Sequence, residues 1–148
     1  PGVKLYATDV STEALTLVKK NAKALDLKDR VAALRGHLLD PIPTDRPIDV
    51  VVSNPPYIPT ATIPTLEPEV AVHEPQLALD GGADGLDFYR ELVPAAFGRV
   101  RRALLVEVGA NQADDVAALF ATAGFEDVQT HSDLAGIERV VSGRMNSV

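Results

Sequence analysis

The run Ile48-Asp49-Val50-Val51-Val52-Ser53 is cut off by Asn54-Pro55-Pro56-Tyr57, and this junction constrains the fold more than any other stretch of the chain. A short apolar run rich in β-branched residues and closed by a turn signal reads as a buried strand. Two successive prolines end it, because each fixes φ and neither offers an N–H to a ladder. A strand stopped in this way delivers the Asn54 side-chain amide to the carboxyl edge of a sheet. The carbonyls of Asn54 and Pro55 are then aimed by rigid torsions rather than by pairing. An Asn side-chain oxygen and a fixed carbonyl are both acceptors. Together they can take both hydrogens of an –NH2 group and leave its nitrogen facing outward, which suits alkyl transfer to an amide or exocyclic amine. The plainer alternative is a proline-rich turn after a strand.

Around this junction, strands alternate with helices. Val3-Lys4-Leu5-Tyr6-Ala7-Thr8 predicts a strand ending at Asp9. Ser11 is a good N-cap, Glu13 suits a first helical turn, and Leu15, Val18, Ala22 and Leu25 recur at helical spacing. Val31 to Leu34 predicts a second strand and Ile48 to Ser53 a third. Residues 55–82 hold six of the eleven prolines and predict a long irregular loop, of the kind that usually carries function. A helix is expected from Gly85 to about Val100, kinked or broken at Pro94. Ala103 to Val108 predicts an apolar strand. Val116, Leu119, Phe120 and Ala123 form a further helical stripe closed by Gly124. Two closing strands are expected at about 126–131 and 138–143. The pattern predicts an α/β fold with a mostly parallel sheet. Ligands of such sheets bind beyond the carboxyl ends of the strands, where Asp9, His37, Asn54 and Glu107 are expected.

The bulk properties narrow the function. At 148 residues and 46% hydrophobic content the chain has the size and apolar content of one domain. Its net charge of −7 disfavours a phosphate-binding role, which calls for a basic face. The absence of cysteine rules out disulfides and thiolate metal sites, and three scattered histidines make no zinc site. No apolar stretch is long enough to span a membrane as a helix, and the cytoplasm is the default location.

Several side chains invite two readings. Asp9 suits the hydroxyls of a ribose, or caps the helix that follows. Gly36-His37-Leu38 is placed to face an adenine ring, or is an ordinary loop. Glu107 in an apolar strand needs a partner, whether it is catalytic or structural. His73 sits in the long loop among acidic residues, where a solvated histidine is the simpler reading.

Taken together, Tyr6-Ala7-Thr8-Asp9-Val10-Ser11 and Val52-Ser53-Asn54-Pro55-Pro56-Tyr57-Ile58-Pro59 resemble the class I S-adenosylmethionine-dependent methyltransferases. The segments Glu67-Pro68-Glu69-Val70, His73-Glu74-Pro75 and Leu77-Ala78-Leu79-Asp80-Gly81-Gly82-Ala83-Asp84-Gly85-Leu86 are more narrowly similar to the HemK/PrmC protein-glutamine methyltransferases. So is the tail Asp133-Leu134-Ala135-Gly136 with Glu138-Arg139-Val140-Val141. The resemblance covers nearly the whole chain. It implies a Rossmann-like sheet with a C-terminal antiparallel strand pair, and S-adenosylmethionine as cofactor. The implied substrate is the glutamine of the Gly-Gly-Gln tripeptide in class I peptide-chain release factors, with no direct nucleic acid and no membrane. By position, Asp9 and Val10 would meet the cofactor ribose and His37 and Leu38 its adenine. Asn54 and Pro55 would hold the amide, with Pro56 and Tyr57 shaping the pocket. Glu67, Glu69 and His73 would belong to the substrate loop.

The chain departs from the family at three places. His37 stands where an acidic residue is usual, and a neutral imidazole accepts through only one nitrogen. Phe97-Gly98-Arg99-Val100-Arg101-Arg102 replaces the usual Pro-Gly-Gly turn. The family's first strand, glycine-rich cofactor loop and helical N-terminal domain have no counterpart here. The family's strands lie in the order third, second, first, fourth, fifth, seventh, sixth, so a central strand would be missing. Each buried backbone group left unpaired costs about 1–3 kcal/mol. The resemblance therefore implies that residues 1–148 are the C-terminal part of one methyltransferase domain, inactive alone; otherwise a swapped strand or an oligomer would fill the gap. Ribosomal-protein glutamine or nucleic-acid amine methylation, and a partner-binding remnant, are the competing readings.

Overall fold

The computed structural model describes residues 2–67 and 75–146. The chain divides into two compact units, Pro1–Arg46 and Pro47–Val148.

The first unit is a strand–helix–strand. β1 (Leu5–Asp9) and β2 (Val31–Arg35) run parallel, in register from Leu5 opposite Val31 to Asp9 opposite Arg35. Between them α1 (Thr12–Ala24) starts where the sequence predicts, with the Ser11 hydroxyl accepting the Ala14 N–H at 3.0 Å. Its buried face is Leu15 and Ala22. Leu25, expected in that stripe, is instead 69% exposed, because the helix ends at Ala24 and Leu25 lies in the cap beyond the last full turn.

The second unit holds the four-stranded sheet β3 (Ile48–Ser53), β4 (Val100–Glu107), β5 (Glu126–Ser132) and β6 (Glu138–Arg144). Its strand order is β3-β4-β6-β5. A 3-10 turn (Thr60–Thr65), a single-turn helix α2 (Gln76–Leu79), and the longer helices α3 (Asp87–Phe97) and α4 (Ala113–Ala123) complete it. β3 pairs β4 in parallel, but β4 pairs β6, and β6 pairs β5, antiparallel. The mostly parallel sheet expected from the residue pattern is thus corrected to a mixed one, while the C-terminal antiparallel strand pair implied by the resemblance is present. The short segment between β5 and β6 permits a hairpin but no crossover. The chain is an α/β protein.

The core of this unit is built by α3, α4, β4 and β6. Tyr89, Leu92, Val93 and Ala96 point inward from α3, and meet Leu104 and Val106 of β4, Val116 and Phe120 of α4, and Val141 of β6. Phe125 packs edge-on against Phe97 at 5.3 Å and beside Phe120 at 5.1 Å. Gly124 closes α4 in the left-handed conformation, φ +102°, as expected.

The expected break at Pro94 does not occur: α3 runs as one helix from Asp87 to Phe97. Pro94 is on the exposed face, so the Arg90 carbonyl left without an amide partner is open to water, and the apolar face on either side holds the helix together.

Candidate functional site

In the first unit, the carboxyl end of the parallel pair gathers the residues expected to face a nucleoside. Asp9 is the last residue of β1 and half-buried. Its Oδ1 accepts the Ser11 N–H at 2.8 Å, a local turn that leads into the helix, whose cap is Ser11 itself. The second Asp9 oxygen has no partner among the described residues and remains an acceptor. The Gly36 N–H donates to the Asp9 carbonyl at 3.0 Å, which brings the loop after β2 against the end of β1. His37 and Leu38 follow in that loop, both half-buried. The Asp40 N–H closes a turn on the His37 carbonyl at 3.0 Å, and Leu38 holds φ +44°, a left-handed conformation uncommon for a branched side chain. Val10 is 40% exposed beside Asp9. A carboxylate acceptor, an imidazole and two aliphatic side chains at one sheet edge form a set of groups chemically able to meet a ribose and a purine.

In the second unit, β3 ends at Ser53 and Asn54-Pro55-Pro56-Tyr57 leaves the sheet edge as extended backbone. Asn54 is exposed and Pro55 buried. Neither the Asn54 side chain nor the Pro55 carbonyl has a hydrogen-bond partner among the described residues. The next carbonyls are treated differently. That of Pro56 lies against Gly81, where a Cβ would come within 2.9 Å of it. That of Tyr57 accepts the Gln112 Nε2–H at 2.9 Å. That of Ile58 accepts the Gly81 N–H at 2.8 Å, and the Ile58 N–H donates to Leu79 at 3.0 Å, forming a one-residue parallel bridge to Asp80. Acceptor capacity is thus left at Asn54 and Pro55 and consumed at Tyr57 and Ile58.

The segment Leu79–Leu86 is what holds the loop. The Thr60 hydroxyl donates to Asp80 Oδ1 at 2.6 Å, and the Gly82 N–H to the same oxygen at 3.0 Å. These two bonds, the hydroxyl first, hold the Asp80 carboxyl below its usual range. A Cβ on Gly81 would come within 2.8 Å of the Tyr57 α-carbon, and Gly85, at φ +80°, would press one onto the Tyr57 carbonyl. Only glycine lets the two main chains approach this closely. Asp84 Oδ1 accepts the Leu86 N–H at 3.1 Å, while Arg90 reaches both Asp84 oxygens, at 2.9 and 2.6 Å. The guanidinium lowers the Asp84 carboxyl to about 2.

Beside this loop lies a cleft of about 410 Å³ lined by Tyr57, Ile58, Thr62, Leu66, Gly109 and Gln112 among others. Tyr89 is fully buried, and its hydroxyl donates to the Glu107 carbonyl at 2.8 Å. Burial, with Tyr57 and Glu107 nearby, pushes the Tyr89 phenol well up, so it stays a neutral donor. Glu107, singled out as a carboxylate in need of a partner, contributes its main chain here and is half-buried. Glu67 is exposed just after the 3-10 turn, and Glu69 and His73 lie outside the described residues. Tyr89 and Gln112 escape a reading of the sequence, the first as one apolar residue in a helical stripe and the second as a polar residue before a helix. The density of glycine at 81, 82 and 85 is the signal that a close main-chain approach was needed.

No family model matches the chain. Among curated proteins, the release factor glutamine methyltransferase of Caulobacter vibrioides is 49% identical over 148 residues, covering 99% of this chain and 51% of its own length. That of Geobacter sulfurreducens is 44% identical, covering 98% of this chain and 51% of its own length. The chain spans about half the length of the curated relatives it matches. Among solved structures, the protein-(glutamine-N5) methyltransferase (release factor-specific) from Alicyclobacillus acidocaldarius is 27% identical with a TM-score of 0.53, over 99% of this chain and 82% of that one. The hMettl16 catalytic domain in complex with MAT2A 3'UTR hairpin 6 is 14% identical with a TM-score of 0.72, over 95% of this chain and 55% of that one.

Proposed function

We propose, from a chain homologous over almost its whole length to release factor glutamine methyltransferases, that it carries the amide-binding and nucleoside-binding parts of a protein-glutamine methyltransferase. The substrate is the glutamine of the Gly-Gly-Gln tripeptide of class I release factors, and the cofactor is S-adenosylmethionine. One observation of the site carries the reading: among the described residues the Asn54 side chain and the Pro55 carbonyl have no hydrogen-bond partner, while the carbonyls of Tyr57 and Ile58 further along the loop are bound.

An amide nitrogen is a poor nucleophile because its lone pair is delocalised into its own carbonyl. Two acceptors on its two hydrogens raise the electron density on nitrogen and favour a pyramidal geometry. They also face the positive charge that develops there as a bond to carbon forms. Pro55 and Pro56 fix the spacing of these acceptors before substrate arrives. Tyr57 walls the cleft that would receive the flanking glycines. S-adenosylmethionine supplies an electrophilic methyl group on a sulfonium. On this reading the free oxygen of Asp9 holds its ribose hydroxyls, with Val10 alongside, and His37 and Leu38 line its adenine. The nitrogen loses its proton to water once it has been alkylated, and no strong general base is required.

The chain is read as the C-terminal part of a longer methyltransferase domain. The relatives' greater length supports this, as do the apolar side chains exposed on the strands, with Leu5 at 54% and Val52 at 75%.

The test uses the protein extended to the length of its relatives, with S-adenosylmethionine and a release factor. Methyl transfer is expected to the native factor and to be lost when the tripeptide glutamine is replaced by alanine. Asn54→Ala is expected to lower kcat by about 10²–10³, the range for removing one group aimed at developing charge. Transfer to a ribosomal protein or to nucleic acid instead, or none at all, would overturn the assignment.

A further inference from the structure

Gln112 is the N-cap residue of α4, yet its side chain makes no capping bond. Glutamine is not among the residues favoured at this position. Its amide is used elsewhere. Nε2 donates to the Tyr57 carbonyl at 2.9 Å and the Gly85 carbonyl at 3.4 Å, and Oε1 accepts the Gly109 N–H at 2.9 Å. One side chain therefore ties together the end of the Asn-Pro-Pro-Tyr segment, the glycine segment and the turn after β4. A Cβ on Gly109 would come within 2.8 Å of Gln112 Oε1 and 3.0 Å of the Tyr57 ring, so glycine at this turn admits both as they stand.

From these contacts we infer that Gln112 is a positioning residue for the amide-binding acceptors, acting through the Tyr57 peptide. Both prolines between Tyr57 and Asn54 have φ fixed by their rings. Fewer torsions are therefore free along that arm than in an ordinary segment. Anchoring the Tyr57 peptide at one end narrows the directions open to the Pro55 carbonyl and the Asn54 side chain at the other. The Tyr57 carbonyl shares a planar peptide unit with the Ile58 N–H, which donates to the Leu79 carbonyl at 3.0 Å. Gln112 is the side chain that holds the other side of that unit, so the peptide is clamped from both sides. This inference deepens the reading of the site as an amide methyltransferase and rests on it.

Gln112→Glu is the informative variant, because it keeps the size and the acceptor for Gly109 but sets a carboxylate oxygen against two carbonyls. In the protein extended to the relatives' length, kcat for release-factor methylation is expected to fall about tenfold or more at pH 8, with KM for the factor within about twofold, since the loss is one of aim rather than of binding. Lowering the pH should partly restore kcat relative to the parent, because a protonated Glu at 112 again donates to Tyr57. In the 15N-labelled chain, the Asn54 side-chain amide resonances should shift or broaden in the variant. A folded variant with parental kcat, no pH-dependent recovery and unmoved Asn54 resonances would overturn the inference. If the parent itself transfers no methyl group, the functional reading fails, and the Asn54 resonances alone decide the role of Gln112.

Discussion

Asp84 illustrates how much a single exposed carboxylate organises here. It accepts a main-chain N–H at the start of α3 and both arms of the Arg90 guanidinium, while Arg90 also reaches Asp87 at 3.1 Å. Its carboxyl titrates at about 2 rather than 3.8, chiefly because of Arg90. A group whose pKa is depressed by folding contributes stability that is fully present above its unfolded value and lost as pH falls through the folded one. Asp84→Asn should thus lower the urea midpoint at neutral pH and converge with the parent between about pH 4 and 2, where the parent's own carboxylate is neutralised. Asn retains an acceptor for the Leu86 N–H, so the comparison isolates the charge. With the Asp84 side chain 49% exposed, added salt should shrink the difference. An unchanged gap across that pH range would remove Asp84 from the account of how the glycine segment is held.

At the level of elements, α3 shows a helix tolerating a residue that the sequence alone marks as a breaker. Pro94 removes one hydrogen bond to the Arg90 carbonyl, but it does so on the exposed side, with Leu92, Val93 and Ala96 buried around it. Pro94→Ala should therefore raise stability by about 1–3 kcal/mol, the restored bond and better propensity being partly offset by a more flexible unfolded chain. Calorimetry would show a higher melting midpoint, and a lower one would mean that the ring packs in a way the exposed position does not suggest. The same helix explains what could be read beforehand. Strands and helices with a strong period, such as β3, β4 and α4, were legible because burial imposes the period. Ser11 and Gly124 were legible because cap chemistry is local. A break at Pro94 was the wrong expectation because propensity ignores which face a proline occupies. The antiparallel pairing of β6 with β5 follows from the short segment between them, but its pairing with β4 joins residues more than thirty apart in sequence, and no local signal carries that. At the candidate site, Asn54 to Tyr57 stood out through their torsional restriction. Gln112 did not, because two of its three partners, Tyr57 and Gly85, become its neighbours only once the chain has folded.

For the molecule as a whole, burial is unevenly shared. Leu15, Ala22, Leu39 and Ile42 are the buried apolar residues of the first unit, and no residue of β1 or β2 is buried. The second unit has a continuous core from Ile48 to Val141. A unit of this small size with so few buried side chains is marginal. Hydrogen exchange followed by mass spectrometry should accordingly find the amides of β1 and β2 exchanging well before those of β4 and α4. Equal protection in the two units would mean that the first gains stability from a source other than its own packing. The free acceptors at the end of β3 have a further consequence for turnover. A primary amide brings two hydrogens to two acceptors, whereas the same amide after one alkylation has a single hydrogen left and a methyl where the other was. On the proposed reading, the alkylated amide would fit this site less well than the parent amide: one acceptor would lose its donor, release would be favoured, and the count would stop at one.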